Sequence, residues 1–442
     1  MPTAAVLLPI QGLSLIYWWI AGSYFGVDIY ASRSFSSQDG WCTLEYQGLG
    51  SHCWGDYYYS LILGFSLSDP SNNAGPAASF IPFMITSVLG TIIGFGHAGL
   101  IIFLGSMTFL IGWSVWVGTK GMQLEPRLIL FTTITLFSPP VIATLDRGNS
   151  VGFIVPLLVW LYWALRNQSD SQGMLAIVLL TVVKPHFAVL LALFLIRGNI
   201  KAFIKGALLG GSIHVLAYLV IAGERFPTNM YEWLVGLNSY QDYTSVRSGW
   251  PQNISFSQSV YSFASFFRGE QNSNAVLDWI ATYQGVIGSL ILLTVLLAVS
   301  IFRKFLSDVQ VAIILTSLLV MTSSTSFYYY SIFAIPALLA LTQVQLQQKG
   351  IVPLADSGHT ATSNRIDIIL WSALVLTLIQ LPMYGLDSQE VLIGSNNEFT
   401  TMTANIIVTT ANLIGGFWIL AYILIFSIVL RGIFKTKTKT AL

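Results

Sequence analysis

The chain has 442 residues, of which 54% are hydrophobic and only 9% are charged, and its formal net charge is +1. A water-soluble surface needs roughly a quarter of its residues charged, so this composition excludes an ordinary soluble domain. No basic patch with interleaved aromatic residues is present, which excludes a nucleic-acid partner. We therefore predict an all-α polytopic membrane protein, surrounded by the lipid bilayer and forming one integral domain over residues 1–442.

Hydrophobic runs that are long enough to cross about 30 Å of hydrocarbon as helices recur along the chain and predict about 10 to 13 transmembrane helices. In chain order they lie near residues 4–22, 78–94, 98–118, 128–145, 151–166, 173–196, 203–222, 284–302, 309–323, 327–342, 366–384 and 406–430. The first run has no basic region before it and no small-residue cleavage site after it. We interpret it as a retained helix and not as a signal peptide.

Lys and Arg near the ends of the runs give the predicted orientation, because basic loops stay on the cytoplasmic side. The basic positions are Arg166, the group Arg197, Lys201 and Lys205, the pair Arg303 and Lys304, and the tail 431–442. Counting outward from them, the long segments 26–76 and 223–283 face outside. This predicts a multi-pass protein of the plasma membrane with its functional loops on the outer face.

Two runs contain helix breakers. Pro139-Pro140 interrupts the run 128–145, and Lys184-Pro185-His186 falls in the centre of 173–196. If every apolar run between residues 78 and 145 crossed the membrane, the later basic loops would lie on the wrong side. We therefore expect one run there to be re-entrant, and the run from 128 is the main candidate. Basic residues at both ends of 173–196 favour two half-helices that meet at the proline. Such breaks are tolerated at membrane depth only where they line a cavity.

The first long loop carries a candidate catalytic carboxylate. Asp56 stands at the end of a polar, aromatic-rich stretch, and Asp28 is its main rival. The two cysteines of the chain, Cys42 and Cys53, lie in the same loop, where we expect a disulfide in an oxidising compartment; two unpaired thiols are the alternative. No carboxylate pair and no His/Cys spacing suits a metal, so we predict neither a metal nor a cofactor.

Charges placed inside spans are candidates for a functional site, because a centred Lys costs about 2.5–3.5 kcal/mol on insertion scales. Lys184 beside His186 is one candidate, and a lysine that snorkels from a helix end is the alternative. Asp146-Arg147-Gly148-Asn149 is another, with a plain interfacial cap as the alternative. Arg197-Gly198-Asn199 repeats the tripeptide, but because Lys201 follows we interpret it as an ordinary cytoplasmic turn and the repeat as chance.

A carboxylate in an outward loop, with Arg and Lys at the ends of broken helices, suits transfer of a group from a lipid phosphate. The cations would hold the departing phosphate, and the carboxylate would take the proton of the attacking hydroxyl. A transporter or lipid flippase competes with this interpretation, although transporters often show two matched halves and no internal repeat is found. A surface-polysaccharide polymerase or ligase also competes, but its main loop is expected late in the chain.

Five elements, in order over roughly residues 50–340, resemble glycosyltransferase family 87, the polyprenyl-phosphate-mannose-dependent α-mannosyltransferases of the C-type glycosyltransferase fold. They are Gly55-Asp56-Tyr57-Tyr58 with Asn73-Ala74-Gly75-Pro76 and Ile81-Pro82-Phe83, Ser138-Pro139-Pro140 leading to Arg147-Gly148-Asn149, Lys184-Pro185-His186, Trp250 to Ser255, and Ser323 to Tyr330 followed by Pro336. Two places depart from the family pattern: Tyr328-Tyr329-Tyr330 replaces a His, and Arg-Gly-Asn replaces Gly-Gln. The tyrosines fit an interfacial aromatic belt equally well.

The resemblance implies an inverting hexosyltransferase. It would move a sugar, mannose by the family's habit, from a polyprenyl-phosphate donor to an acceptor hydroxyl on a glycolipid or glycan at the outer membrane face. Asp56 would be the general base, while Arg147, Lys184 and His186 would bind the donor phosphate. The implied substrate-binding residues are Asn149, Tyr57, Asn253 and Tyr329.

Overall fold

The computed structural model describes residues 54–65, 76–94, 97–232, 253–268, 270–323, 326–348, 361–395 and 398–440, with the isolated positions 9 and 12. The predicted span 4–22, apart from those two positions, lies outside the described residues. So do Cys42 and Cys53, and most of the loop 26–76. The predicted disulfide therefore stays a prediction.

The described part is a bundle of helices with one β-hairpin. The helices are α1 (Gly55–Phe65), α2 (Ala77–Ile93), α3 (Ala98–Gly118), α4 (Leu124–Phe137), α5 (Pro139–Arg147), α6 (Ile154–Arg166), α7 (Asp170–Val183), α8 (Ala192–Ile196), α9 (Ile200–Ala222), α10 (Phe256–Arg268), α11 (Glu270–Ile301), α12 (Asp308–Thr322), α13 (Ala334–Gln348), α14 (Ala361–Leu378) and α15 (Ile414–Thr440). Turns of 3₁₀ helix, Ser150–Phe153, Pro185–Leu191 and Tyr328–Phe333, precede α6, α8 and α13. The predicted helical, polytopic architecture is confirmed.

The hairpin is an addition that the sequence analysis missed. Strands β1 (Pro382–Ser395) and β2 (Glu398–Thr409) pair antiparallel between α14 and α15. The register runs from Pro382 opposite Thr409 to Ser395 opposite Glu398. β2 is rich in Thr, Ile and Val, which favour strands, but its last residues, 406–409, also begin the predicted apolar run 406–430.

Five described helices are long and apolar enough to cross a membrane, and the bent pair α4–α5 makes a sixth if it counts as one span. The five are Ala98–Gly118, Ile200–Glu232, Thr282–Ile301, Tyr328–Leu346 and Thr410–Ile433. The Tyr328–Leu346 span is 89% buried and the Thr282–Ile301 span only 17%. A helix that is apolar on all sides and buried is a central helix, so α13 lies in the middle of the bundle and α11 faces lipid.

One end of the bundle is tied together by a cluster of charges, Asp170, Arg197, Arg303 and Asp308, which we call the ionic end. Arg197 donates from NH1 to Asp170 Oδ1 at 2.5 Å, and its Nε lies 3.5 Å from Asp308 Oδ2. Arg303 pairs with the same Asp308. The basic groups that the sequence analysis placed on one side of the membrane, around Arg197 and Arg303, thus meet in space.

The segment from Asp170 to Ile196 enters and leaves at the ionic end, because Asp170 begins α7 and is bonded to Arg197, which follows α8. At its tip, Lys184 has extended backbone, with φ −149° and ψ 117°, as expected for a residue before proline. The predicted pair of half-helices is confirmed. The 14 residues of α7 place Lys184 about 21 Å from the ionic end, at about 1.5 Å per residue.

The run from residue 128 is broken where the sequence predicts. Ser138 is extended before Pro139, which opens α5, and the axes of α4 and α5 differ by 41°. Arg127 near the start of α4 donates to the carbonyl oxygen of Trp116 at 2.6 Å, and this end of α3 contacts the late part of α13 through Gln343. Because α13 starts at the opposite end of the bundle, α4–α5 is a bent crossing and not the suspected re-entrant run.

The helix that does not cross is α2. Its first residue, Ala77, packs with Tyr218 near the far end of α9, which begins at the ionic end where Asn199 bonds Asp170. Its last turn leads to His97, whose Nδ1 lies 3.2 Å from the hydroxyl of Tyr58, two residues after Asp56. Both ends of α2 therefore lie at the end of the bundle away from the ionic end.

The flat course of α2 removes the discrepancy in the count of crossings between residues 78 and 145. The elements that then alternate between the two ends are α3, α4–α5, α6, α9, α11, α12, α13, α14 and α15. Along α2, Ile85, Val88, Leu89 and Ile92 are exposed, and this spacing makes one apolar stripe. Such a stripe suits a helix that lies along the membrane surface with its apolar face in lipid.

Cysteine accessibility tests the course of α2. In a chain with Cys42 and Cys53 replaced by Ser, we expect Pro76→Cys and Thr91→Cys, near the two ends of α2, to react with a membrane-impermeant maleimide from the same side of the membrane. Lys120→Cys, just after α3, is the control and should react from the other side. Labelling of Pro76→Cys and Thr91→Cys from opposite sides would show that α2 crosses.

Candidate active site

The carboxylate of Asp56 is held by two side chains from a distant part of the chain. Arg147 donates from Nε to Oδ2 at 2.8 Å and from NH2 to Oδ1 at 2.7 Å, and Asn149 donates from Nδ2 to Oδ2 at 2.7 Å. The side chain of Arg147 is 8% exposed and that of Asp56 is 20% exposed. Paired, parallel N–H···O bonds of this kind are strong and fix geometry. The structure thus unites three of the predicted site residues.

The Arg-Gly-Asn tripeptide owes its shape to a helix end. α5 ends at Gly148, which has a left-handed φ of +64°, the common conformation at helix C-termini. A Cβ at Gly148 would lie 2.9 Å from Cβ of Tyr57 and 3.3 Å from Cβ of Trp54, so α1 packs directly on the glycine. Asn149 then caps the following helix, because its Oδ1 accepts from the Val151 N–H at 2.9 Å, while its amide nitrogen donates to the carboxylate.

The same tripeptide forms the same clamp at the ionic end. Arg197 and Asn199 each donate to Asp170, at 2.5 Å, through NH1 and Nδ2. Gly198 is left-handed with φ +75°, and Asn199 caps α9 by accepting from the Ala202 N–H at 3.1 Å. The attribution of this repeat to chance was wrong. In both copies the glycine ends one helix, the asparagine caps the next, and the arginine and asparagine together bond an aspartate. Arg197 also contacts a second aspartate, Asp308.

Lys184 and His186 lie at the tip of the re-entrant segment, beside the same site. The charge of Lys184 acts on Asp56 and Arg147, and within the described ranges its ammonium has no hydrogen bond or ion pair. The His186 side chain is exposed, and its ring lies 5.6 Å from that of Tyr330. Both predicted phosphate ligands are therefore available to a ligand.

An aromatic wall of Phe327, Tyr329 and Tyr330 connects Arg147 to His186. The guanidinium carbon of Arg147 lies 5.6 Å from the ring centroids of both Phe327 and Tyr329. Tyr329 and Tyr330 are 5.0 Å apart, and Tyr330 lies within electrostatic range of Asp56. The sequence analysis selected Tyr329 and missed the other two residues.

The tyrosine triplet is not an interfacial belt. Tyr328 and Tyr329 are buried, and the Tyr328 hydroxyl donates to the carbonyl oxygen of Leu378 at 3.4 Å, away from the wall. Which tyrosine faces the site depends on the 3₁₀ turn that begins at Tyr328. The three consecutive tyrosines mark this segment in the sequence, but the sequence does not show which of the three side chains faces the site.

Asn253 and Tyr57, which were predicted to bind substrate, have structural contacts instead. Asn253 is 1% exposed, and its Oδ1 accepts from the backbone N–H groups of Ser255 and Ser326 at 3.0 Å each. Tyr57 is 2% exposed and packs edge-on against Phe83. These contacts give both side chains structural roles in place of the predicted ones: Asn253 holds the aromatic segment, and Tyr57 anchors α1.

Asp56 lies in the first turn of α1, outside the candidate spans. Burial raises the pKa of its carboxyl group to about 6, while the Asn149 hydrogen bond and the charge of Lys184 act in the opposite direction. A base is most effective when its pKa lies near the operating pH. Asp56 is therefore better suited to proton abstraction than an ordinary, fully exposed aspartate.

Three helices begin at the site and run toward the ionic end. They are Ser150–Arg166, Pro185–Ile196 and Tyr328–Leu346. Each opens with a 3₁₀ turn directly after an extended residue, namely Asn149, Lys184 or Phe327. A helix N-terminus carries free N–H groups and a partial positive charge, and broken membrane helices direct such ends at anionic groups. Next to Lys184, the arrangement suits an anion.

In the described part of the chain, no group of three or more His, Cys, Asp or Glu residues is placed to hold a metal ion. The charged groups of the site are Asp56 and the cations around it, next to the helix ends. The absence of a metal from the reaction stays a prediction.

A family model described as glycosyltransferase family 87 matches residues 75–327, more than half of the chain. The matched range contains both Arg147 and Lys184 and ends at Phe327, but it begins after Asp56. No curated protein and no solved structure matches. The role of the first-loop carboxylate therefore rests on its contacts with Arg147 and Asn149.

The two glycines of the paired tripeptides form a matched test of the clamp. Gly198→Ala should cost about 1–2 kcal/mol for a left-handed alanine, because nothing lies within 4 Å of its new Cβ. Gly148→Ala should cost more, because its Cβ meets that of Tyr57. Thermal unfolding of both variants in detergent measures the difference, and an equal loss of stability would contradict the close packing of α1 on Gly148.

Proposed function

This chain belongs to glycosyltransferase family 87 and is therefore a membrane glycosyltransferase, and we propose that it transfers mannose from a polyprenyl-phosphate donor. The acceptor is a hydroxyl group of a glycolipid or glycan at the outer face of the plasma membrane. One observation carries the proposal: a clamped carboxylate, Asp56, lies beside an accessible Lys184 and the N-terminal ends of three helices.

The proposed reaction is a single displacement. The acceptor oxygen forms a bond to the anomeric carbon of the donor sugar, and the bond from that carbon to the phosphate oxygen breaks. The electron pair leaves with the polyprenyl phosphate, and the hydroxyl proton moves to Asp56. Because the attack comes from the face opposite the leaving group, a β-linked donor sugar becomes α-linked.

Oδ1 of Asp56 is the oxygen that takes the proton in this scheme. It accepts one hydrogen bond, from Arg147, whereas Oδ2 accepts two, from Arg147 and Asn149. A carboxylate oxygen offers about two acceptor positions. Oδ1 therefore keeps one position for the acceptor hydroxyl.

Lys184, His186 and the three helix N-termini form the proposed phosphate site. The charge of Lys184 and the N–H dipoles stabilise the negative charge that develops on the leaving phosphate. The donor sugar would lie between this site and Asp56, against the ring of Tyr330, which lies 5.6 Å from that of His186 and within electrostatic range of Asp56.

The depth of the site agrees with a lipid-linked donor. Lys184 lies about 21 Å from the ionic end at 1.5 Å per residue, in a hydrocarbon layer about 30 Å thick. The basic residues at the ionic end favour the cytoplasmic side, and this supports a site in the outer leaflet. There, a phosphate near the headgroups leaves its polyprenyl chain in lipid.

Asp56→Asn tests the proposed base. The amide has the same size but takes no proton, so we expect turnover to fall about 10²- to 10⁴-fold. The measurement is transfer of labelled mannose from polyprenyl-phosphate mannose by membranes that contain the protein. Asp170→Asn, in the second clamp, is the control and should retain its turnover per folded protein. Full activity of Asp56→Asn excludes this base, and a wild type that uses no polyprenyl-phosphate sugar rejects the donor class.

Lys184→Gln tests the phosphate site. The variant loses one charge-assisted contact to the phosphate, worth roughly 1.5–3 kcal/mol. The Kd for the donor should therefore rise about tenfold or more, while the affinity for the acceptor should change little. Lys120→Gln, an exposed lysine at the opposite end, is the control. Binding of polyprenyl phosphate to purified protein is the readout, and unchanged affinity in Lys184→Gln would remove Lys184 from the site.

A further inference from the structure

Arg147 has a different position from the one that a phosphate ligand needs. Two of its donors, Nε and NH2, are bonded to Asp56, and rings of Phe327 and Tyr329 lie 5.6 Å from its guanidinium carbon. Gly148 fixes the backbone that follows, because α1 packs against it. The guanidinium is therefore oriented by its surroundings toward the carboxylate.

The second Arg-Gly-Asn tripeptide shows what this unit does away from the site. At the ionic end, about 21 Å from Lys184 along α7, Arg197 and Asn199 also hold an aspartate, Asp170, with one donor each. The other guanidinium nitrogens of Arg197 contact Asp308 and Gln168. No lipid phosphate of the outer leaflet reaches that position. Holding an aspartate is thus the property that the two copies share.

We propose that Arg147 is a positioning residue that orients Asp56 for proton abstraction, and that it is not a ligand of the donor phosphate. This inference rests on the proposed function and changes the role that the sequence predicts for Arg147. The guanidinium fork fixes the plane of the carboxylate, so that the open position on Oδ1 has a constant direction. Asn149 fixes the remaining freedom by bonding Oδ2.

The division of charge supports this assignment. Arg147 is neutralised by Asp56 at 2.7 Å, so its field at a neighbouring phosphate is reduced. Lys184 has no ion pair among the residues that the structure describes. The donor phosphate would therefore be held by Lys184, His186 and the helix ends, and the base would be held by Arg147.

Kinetics of Arg147→Lys separate the two roles. Lysine keeps the charge but loses the planar fork. A positioning role predicts a fall of about 100-fold in kcat, the size expected for a misplaced reacting group, with the donor KM within about twofold of the wild type. A phosphate ligand predicts the reverse, a higher donor KM with kcat retained.

The pH profile provides a readout that a merely structural residue does not move. In the wild type, kcat/KM should fall as the pH drops through about 6, because Asp56 becomes protonated. Arg147 favours the ionised carboxylate, so Arg147→Gln raises the pKa of Asp56. The acid limb should then move to higher pH. Arg197→Gln, in the second clamp, is the matched control and should leave the acid limb in place.

A second pair of variants guards against misfolding. Asp56→Asn with Arg147→Gln removes both charges, which disturbs a buried pair less than removal of one partner. This double variant should bind polyprenyl phosphate within about twofold of Asp56→Asn alone, since the phosphate does not touch Arg147. Tenfold weaker binding, or a raised donor KM in Arg147→Lys together with an unmoved acid limb in Arg147→Gln, overturns the inference alone. A wild type without turnover on any polyprenyl-phosphate sugar overturns the proposed function, and the inference with it.

Discussion

The ion pair between Asp56 and Arg147 joins α1 to the end of α5. It fixes the position of the candidate base relative to the rest of the site. α1 is only 11 residues long, too short to be stable by itself. It packs against α2 and Gly148 through Tyr57, and Tyr58 bonds His97. A buried ion pair is weak support for stability, but loss of one partner leaves an uncompensated charge, which is strongly unfavourable. The pair therefore specifies position more than it adds stability.

The breaks in the helices bring Arg147 and Lys184 to the same site as Asp56. Ser138 and Lys184 are extended because prolines follow them, and Gly148 ends α5 in a left-handed conformation. Each break frees backbone groups and turns a side chain toward the interior, which is tolerated in a membrane only around a cavity. Central helices such as α12 and α13 are buried on nearly all sides, and α12 packs against the 3₁₀ turns that follow Lys184 and Phe327.

Composition and charge were sufficient to predict a helical membrane protein, and the two prolines were sufficient to locate the breaks at Ser138 and Lys184. The course of α2 was not predictable, because an apolar segment of this length can either cross the membrane or lie along its surface. The contacts near its two ends, with Tyr218 and between His97 and Tyr58, show that both ends lie on the same side. The partner of Arg147 was missed for a related reason. A sequence shows that an arginine is present near a helix end, but not whether a carboxylate 91 residues away or a ligand neutralises it.

The re-entrant segment has a mechanical consequence for Lys184. A lysine in the middle of a single crossing helix is free to shift toward the headgroups by a small slide or tilt of the whole helix. The two ends of this hairpin are joined to each other by Asp170 and Arg197, and Arg197 also contacts Asp308 at the start of α12. The hairpin cannot slide along the bundle without breaking the contact with Asp308. The depth of the Lys184 ammonium group is therefore set by the length of α7 and not by the thickness of the surrounding bilayer.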